Sequence, residues 1–545
     1  MKRYIEHLII SAEQRVDKFL ESQITNPDSY LYGGIRSHIW EAKPTIYMMA
    51  NAVALYLNEQ SKYYRDEKLY ESMLLALQFI RNTQRDDGSF DYPSCNFKSA
   101  ADTAFCFKRL AAAYKLMAGQ EQSQELYILQ MKYMLVMKDA LKAICAGGFH
   151  TPNHRWAIAA ALLQGANLFD KEPAFADTLR ARAEEYLAEG IDIDEDGEYA
   201  ERSTGNYNAV VNNSMMTLYE ETGDRKYFDI IRKNLEMMQY YMDPDDTIFT
   251  QNSTRQDNGS VEFADKYFYQ YLYICAHEKN EAFDGIAHKI IKDNLLRGDM
   301  APECLHIVMA HEEMLHHEFT GYGFLPEYRK YFKHSGILRV KKKHYAYTVI
   351  NHKSAFLFFK QNESQIYFKI GESYCDIRNF IPSSVHFDGR KTILEATAEG
   401  WYYQPFKQSQ GTSDWWEMDH SRRERLVSST LTIRVTIEEK DKGLEIGVRA
   451  EGLDRLPLRI EVGVACGAVL ENQHFWIQTH AGGEMIFREG EMTIVDHNNE
   501  FLLSGGFGEH DFKGHYSGEE KEQAGFTIFM NTYTPCERQF SLSVK

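Results

Sequence analysis

The hydrophobic pattern of this chain changes period once, and that change limits the folds open to it. Up to about residue 330, apolar side chains recur three and four positions apart between short polar breaks, which is the signature of amphipathic helices. Helices are expected near 5–22, 44–58, 67–82, 100–118, 122–144, 154–168, 173–188, 207–221, 225–241, 262–277, 282–295 and 301–317. From about Gly336 the pattern alternates, rich in β-branched and aromatic residues, as in Tyr345 to Ile350, Leu431 to Glu438, Leu444 to Ala450 and Leu458 to Val464. A chain of 545 residues is longer than one core usually supports, so two or three domains are expected, and the change of period marks two. Residues 1–330 are expected to form an α/α toroid, an incomplete barrel of helical hairpins. Residues 331–545 are expected to form an antiparallel β-sandwich, with the boundary between Gly321 and Gly336.

Composition narrows the partners. The formal net charge of −18 argues against nucleic-acid and membrane-surface binding, and no segment is apolar for long enough to span a bilayer. An acidic ligand would need a locally basic site, for which Arg155, Arg202 and Arg255 are candidates. Eight cysteines without a Cys-x-x-Cys pair favour free thiols. Glu6 and His7 stand where a secretory signal would be apolar, so a cytoplasmic location is expected. The oligomeric state is not legible.

Two polar segments lie where helices begin. The first is Gly147 to Trp156, in which Pro152 suits an early helical position and sets Asn153, His154, Arg155 and Trp156 near the positive end of a helix. The second runs from Asp196 to Asn208. Its Asp-Gly turn precedes Arg202, Ser203, Thr204 and Asn206, and it brings Tyr207 to the mouth of the next helix. Each segment alone also serves as an ordinary helix start, and a tyrosine there is commonly a packing residue. Arg36, in a polar and aromatic cluster before another helix, is a further lining candidate, as is Arg255 in the loop Gln251 to Asp257.

Together, the Asn-His-Arg-Trp segment and the Glu-Arg-Ser…Asn-Tyr-Asn segment, in this order and separation, resemble the heparinase II/III-like polysaccharide lyases and their alginate-lyase relatives. The resemblance implies an acidic oligosaccharide or polysaccharide substrate. Asn153 and His154 would take the roles at the first helix mouth, and Tyr207 the role at the second. In that family a histidine of the β-domain also reaches the cleft. His352 matches that element best and His386 is the reserve, although Lys353 and Ser354 depart from the family's pattern beside it. No cofactor is required by the resemblance, which leaves room for a structural divalent metal in the β-domain without calling for one.

The chemistry follows from the substrate. Cleaving a 4-O-linked uronate without water means removing a weakly acidic C5 proton, so the neighbouring carboxylate must first be neutralised by amide, imidazole or guanidinium donors. Asn153 is the primary donor, with His154, Arg155 and Arg202 nearby, and Trp156 and Asn206 as sugar contacts. Tyrosine ionises near 10, so Tyr207 is assigned as acid, and as both acid and base when proton and leaving group share a face. His154 is the alternative base. A toroid glycoside hydrolase is the rival reading and would need two carboxylates among Asp87, Asp91, Asp102 and Glu201. A non-catalytic carbohydrate-binding protein is the third. His311-Glu312-Glu313-Met314-Leu315-His316-His317 is not a zincin motif, because its histidines are not four apart on one helical face.

Overall fold

The computed structural model describes residues 1–148, 151–321, 327–375, 377–513 and 524–545; Phe149 and His150, within the first polar segment, lie outside them. The chain divides into two compact units, Met1–Met242 with Asp246–Leu325, and Asp243–Asp245 with Pro326–Lys545.

The first unit is helical. Its helices are α1 Lys2–Ser22, α2 Lys43–Leu57, α3 Glu67–Thr83, α4 Ala100–Ala118, α5 Gln124–Ala146, α6 Pro152–Leu168 and α7 Pro173–Leu187. They continue as α8 Tyr207–Thr222, α9 Arg225–Met238, α10 Phe268–His277, α11 Glu281–Arg297, α12 Leu305–Ala310 and α13 Glu312–Leu315. Helices α2, α4, α6 and α8 pack in sequence as an inner layer, each backed by the helix that follows it. α10 joins the inner layer through Gln270, whose Oε1 accepts from Asn212 of α8 at 2.9 Å. α1 lies on α11, where Tyr4 Oη and His288 Nε2 are 3.0 Å apart and His7 Nε2 and Asn294 Oδ1 2.8 Å apart. α12 packs on both α1 and α2, closing the ring of hairpins.

The layering follows from composition. Inner helix α6 is apolar nearly all round, and its run of buried alanines from Ala157 to Ala161 lets neighbours approach closely. Outer helix α9 is one-sided, burying Tyr227, Phe228, Ile231 and Leu235 and leaving charges to solvent. The expected final helix is broken at His311, whose extended backbone separates α12 from α13. His311 and His317 turn to different partners, Glu220 at 3.0 Å and Asp284 at 2.5 Å.

Between hairpins the turns are stitched by side chains. Gln84 Nε2 donates to Gly88 O at 2.8 Å and to Val136 O of α5 at 3.0 Å. Gly88 has φ +91°, and a Cβ there would lie 1.9 Å from Asp139 O, so only glycine fits. The turn from Asp194 to Tyr199 repeats this design, with Gly197 at φ +93° against Lys233 O and Tyr199 buried, its hydroxyl donating to Asn212 Oδ1 at 2.9 Å.

The second unit is an antiparallel β-sandwich. Among the described residues one nine-stranded sheet runs from Trp476–Gln478 to Ser384–Asp388, and the other from Glu484–Ile486 to Tyr328–Phe332. The longest pairing joins Lys391–Tyr403 to Arg425–Lys440. Inward residues of both sheets form one core, including Leu338, Phe368 and Ile460 from one and Val435, Ile446 and Leu503 from the other. The short segment Asp243–Asp245 contributes a buried ion pair to this unit: Asp243 accepts from Arg339 at 2.5 Å and from Lys360 at 3.1 Å. Burial opposes ionisation of Asp243, but those two cations hold its carboxyl below the usual range. No helix of the described residues is long and apolar enough to cross a membrane.

Candidate functional site

Helices α3, α4, α5, α9 and α11 are capped by their own Asp, Ser or Asn, as Asp66 caps α3 through Leu69 N at 2.7 Å. At the mouths of α6 and α8, as at those of α1, α2, α7, α10, α12 and α13, the N-cap side chain accepts no bond from its own helix. At α6 the backbone N–H of Asn153 instead donates to Glu201 Oε2 at 3.2 Å, and at α8 the N–H of Tyr207 donates to Ser203 Oγ at 2.9 Å. The segment before α8 therefore caps both helices and brings the two mouths together.

Asn153 is fully buried. Its side-chain N–H groups donate to Glu201 Oε1 at 2.9 Å and Oε2 at 2.7 Å. Its Oδ1 has no hydrogen-bond partner. Glu201 in turn lies 3.4 Å from Arg255 Nε, and the Arg255 guanidinium sits 5.1 Å from the centre of the Tyr207 ring. The Tyr207 hydroxyl donates to Gln256 Oε1 at 3.3 Å. Asn153, Glu201, Arg255 and Tyr207 thus form one continuous row. Burial raises the Glu201 carboxyl above its ordinary value, against the pull of Asn153 and Arg255. The loop carrying Arg255 and Gln256 is fixed by Asp257, which accepts from Ser203 Oγ at 2.8 Å, Gly205 N at 2.9 Å and Ser253 Oγ at 2.6 Å.

The other candidates are placed as follows. His154 is half-buried, its ring edge-on to Phe105 of α4 at 5.7 Å. Asn206 is half-buried and lines a cavity inside the ring of helices. Trp156, expected to contact sugar, is 0% exposed, and its indole N–H donates to Asp192. A ring sealed in that position packs the hairpin and presents no face to a ligand. Arg155 covers that indole at 4.6 Å and pairs with Glu189 at 2.5 Å and Asp192 at 3.7 Å. Arg202, at φ +50°, lies 3.7 Å from buried Glu198. Both guanidiniums therefore face protein carboxylates. Arg36 is exposed in the segment before α2.

In the β-unit, His352 has φ +65° and its Nε2 is 3.2 Å from Ser335 O, with the ring lying over Gly336. His386 is exposed on the strand Ser384–Asp388. The carboxylates that a hydrolase would need are engaged as structural groups: Asp87 with Ser89, Asp91 with Arg85, Asp102 with Lys43 at 2.6 Å, and Glu201 with Asn153.

Glu201 is the member of the row that sequence reasoning did not assign to the lyase site. Glu201 was legible only as a carboxylate in a turn, because nothing local shows that it caps a helix beginning 48 residues earlier.

No protein-family model and no curated protein matches the chain. Solved structures do. A xanthan lyase from Paenibacillus matches with a TM-score of 0.58 at 10% identity, covering 100% of this chain and 57% of that one. A Streptomyces coelicolor A3 chondroitin AC lyase, solved in complex with chondroitin sulphate, matches at 0.56 and 11% identity, covering 100% and 80%. Heparinase III matches at 0.55 and 11% identity, covering 94% and 79%. The chain has the polysaccharide-lyase fold. The α/α toroid followed by an antiparallel β-sandwich is that architecture, and this chain spans just over half the length of the xanthan lyase that shares it.

Proposed function

We propose that this chain is a polysaccharide or oligosaccharide lyase that cleaves a 4-O-linked uronic-acid glycoside by β-elimination. The observation that carries the reading is the row from Asn153 through Glu201 and Arg255 to Tyr207, set at two helix mouths of a toroid with the lyase fold.

Each member has a task. Arg255 meets Glu201 through its Nε edge, so its terminal N–H groups serve the substrate carboxylate and stabilise the charge that flows onto it as C5 loses its proton. Asn153 acts one step back: its donors hold Glu201, and Glu201 fixes the angle of Arg255. This reverses the order expected from sequence, where Asn153 was the primary donor. The Tyr207 hydroxyl, beside the Arg255 guanidinium, is the group that takes the proton at C5 and returns one to the leaving oxygen on the same face. His154 is the base for substrates whose proton and leaving group lie on opposite faces. Acidic glycans are the proposed partners.

Incubating the purified chain with uronic oligosaccharides and following the absorbance of the unsaturated uronate tests the reading. Rising absorbance supports a lyase. New reducing ends without absorbance indicate a hydrolase, and binding without either indicates a non-catalytic carbohydrate-binding protein.

A further inference from the structure

The helical unit encloses a cavity of about 660 Å³ walled by its inner helices, a volume within the range of small-ligand sites. Asn206, next to Tyr207, and Phe105, which touches His154, lie on its wall. Val261 on the same wall is 78% exposed, so the cavity opens to solvent there.

Its charges do not balance internally. Arg109 is matched by Glu303 at 3.5 Å, Lys266 by Glu262 at 3.2 Å, and Glu220 by His311 at 3.0 Å. Lys115 pairs with Glu221, behind the wall. Two cations make their hydrogen bonds to neutral groups instead, feeling Glu220 and Glu303 only through charge at longer range. Lys108 Nζ donates to Asn213 Oδ1 at 2.8 Å and Ser214 Oγ at 3.3 Å, and Arg15 donates to the carbonyl of Ala301 at 2.5 Å. A half-buried ammonium ion hydrogen-bonded only to neutral oxygens gains from an anion that joins it. The remaining wall suits a sugar. Tyr47 and Tyr269 offer aromatic surface.

We infer that this cavity is a binding site for a sugar acid, with Lys108 and Arg15 receiving its carboxylate. The identity of the sugar rests on the lyase reading, in which the cavity holds the acidic residue adjoining the one that faces Tyr207.

Calorimetric titration of the full chain with glucuronate, glucose and inorganic sulfate tests the site apart from any turnover. Glucuronate is expected to bind at least tenfold more tightly than glucose or sulfate. Lys108→Met and Arg15→Met should each weaken it at least tenfold, while Tyr207→Phe should leave it unchanged. The inference is overturned if glucuronate binds both cavity variants as it binds the parent, or if glucose or sulfate binds as tightly as glucuronate. Should Lys108→Met fail to fold by circular dichroism, Arg15→Met decides alone. Lys108-dependent glucuronate binding without elimination would remove the lyase reading and leave the cavity site standing; elimination without such binding would do the reverse.

Discussion

Asn153 and Glu201 are joined by three hydrogen bonds, two from the side-chain amide and one from the backbone N–H, across 48 residues of sequence. Removing the carboxylate leaves the buried backbone N–H of Asn153 without an acceptor and its side-chain amide with only Thr151 Oγ1 at 3.3 Å, and it frees Arg255. Glu201→Ala should therefore cost about 2–4 kcal/mol of stability, visible as a lower urea midpoint, and should reduce turnover sharply. Glu201→Gln keeps an acceptor for Asn153 but loses the charge facing Arg255, so it should recover much of the stability and little of the turnover. Equal activity in Glu201→Gln and the parent would remove Arg255 positioning from the mechanism.

Tyr207 is half-buried and its hydroxyl makes one long bond, to Gln256. Little of the fold depends on that oxygen, so Tyr207→Phe should shift stability by less than about 1 kcal/mol. Proton transfer does depend on it, and turnover should fall by about 10²–10⁴-fold with substrate affinity kept. Near-parent turnover in this variant, followed by unsaturated-uronate absorbance, would refute the assigned acid.

The fold was readable because periodicity is local information. The inner helices announce themselves as nearly continuous apolar runs, and Ala157 to Ala161 could hardly be anything else. Turns stitched across hairpins are less readable: those from Gln84 to Phe90 and from Asp194 to Tyr199 share only the Asp-Gly step and a buried aromatic, too little to show a repeat. The site was legible as two helix mouths and no further. Which donor meets which acceptor depends on how the hairpins pack, and this is why Asn153 was read as facing substrate when it faces Glu201, and Trp156 as a cleft wall when it is sealed inside.

Asp243 ties its segment to the β-unit through Arg339 and Lys360, which hold its carboxyl below the unfolded value despite complete burial. A depressed carboxylate contributes stability that is present above the unfolded pKa of about 4 and is lost as pH falls through the folded value. Acid unfolding should therefore begin earlier in Asp243→Asn, which leaves two buried cations facing an amide. The expected cost near neutral pH is about 3 kcal/mol. A thermal melt of the variant that matched the parent at neutral pH would contradict this.

Lys108 gives the cavity a pH dependence of definite sign. Burial, followed by the charge of Arg109, pushes its ammonium down to about 7, while Glu220 pulls the other way. An anion binds the protonated form, so glucuronate affinity should fall as pH rises from about 6 to about 8. The other titratable neighbours do not reverse this. His306 is pushed down to about 3 and stays neutral throughout, whereas His311, opposed by burial but raised by Glu220, loses positive charge in the same direction. Arg15, Arg109, Lys115, Lys266, Glu262, Asp265 and Glu303 are the other charged groups on the cavity wall. Lys108→Met should flatten the profile and leave the shallower part due to His311. It should also raise the melting temperature, because a half-buried ammonium hydrogen-bonded only to neutral groups is replaced by an apolar chain of similar length. A profile as steep in Lys108→Met as in the parent would place the titrating group elsewhere.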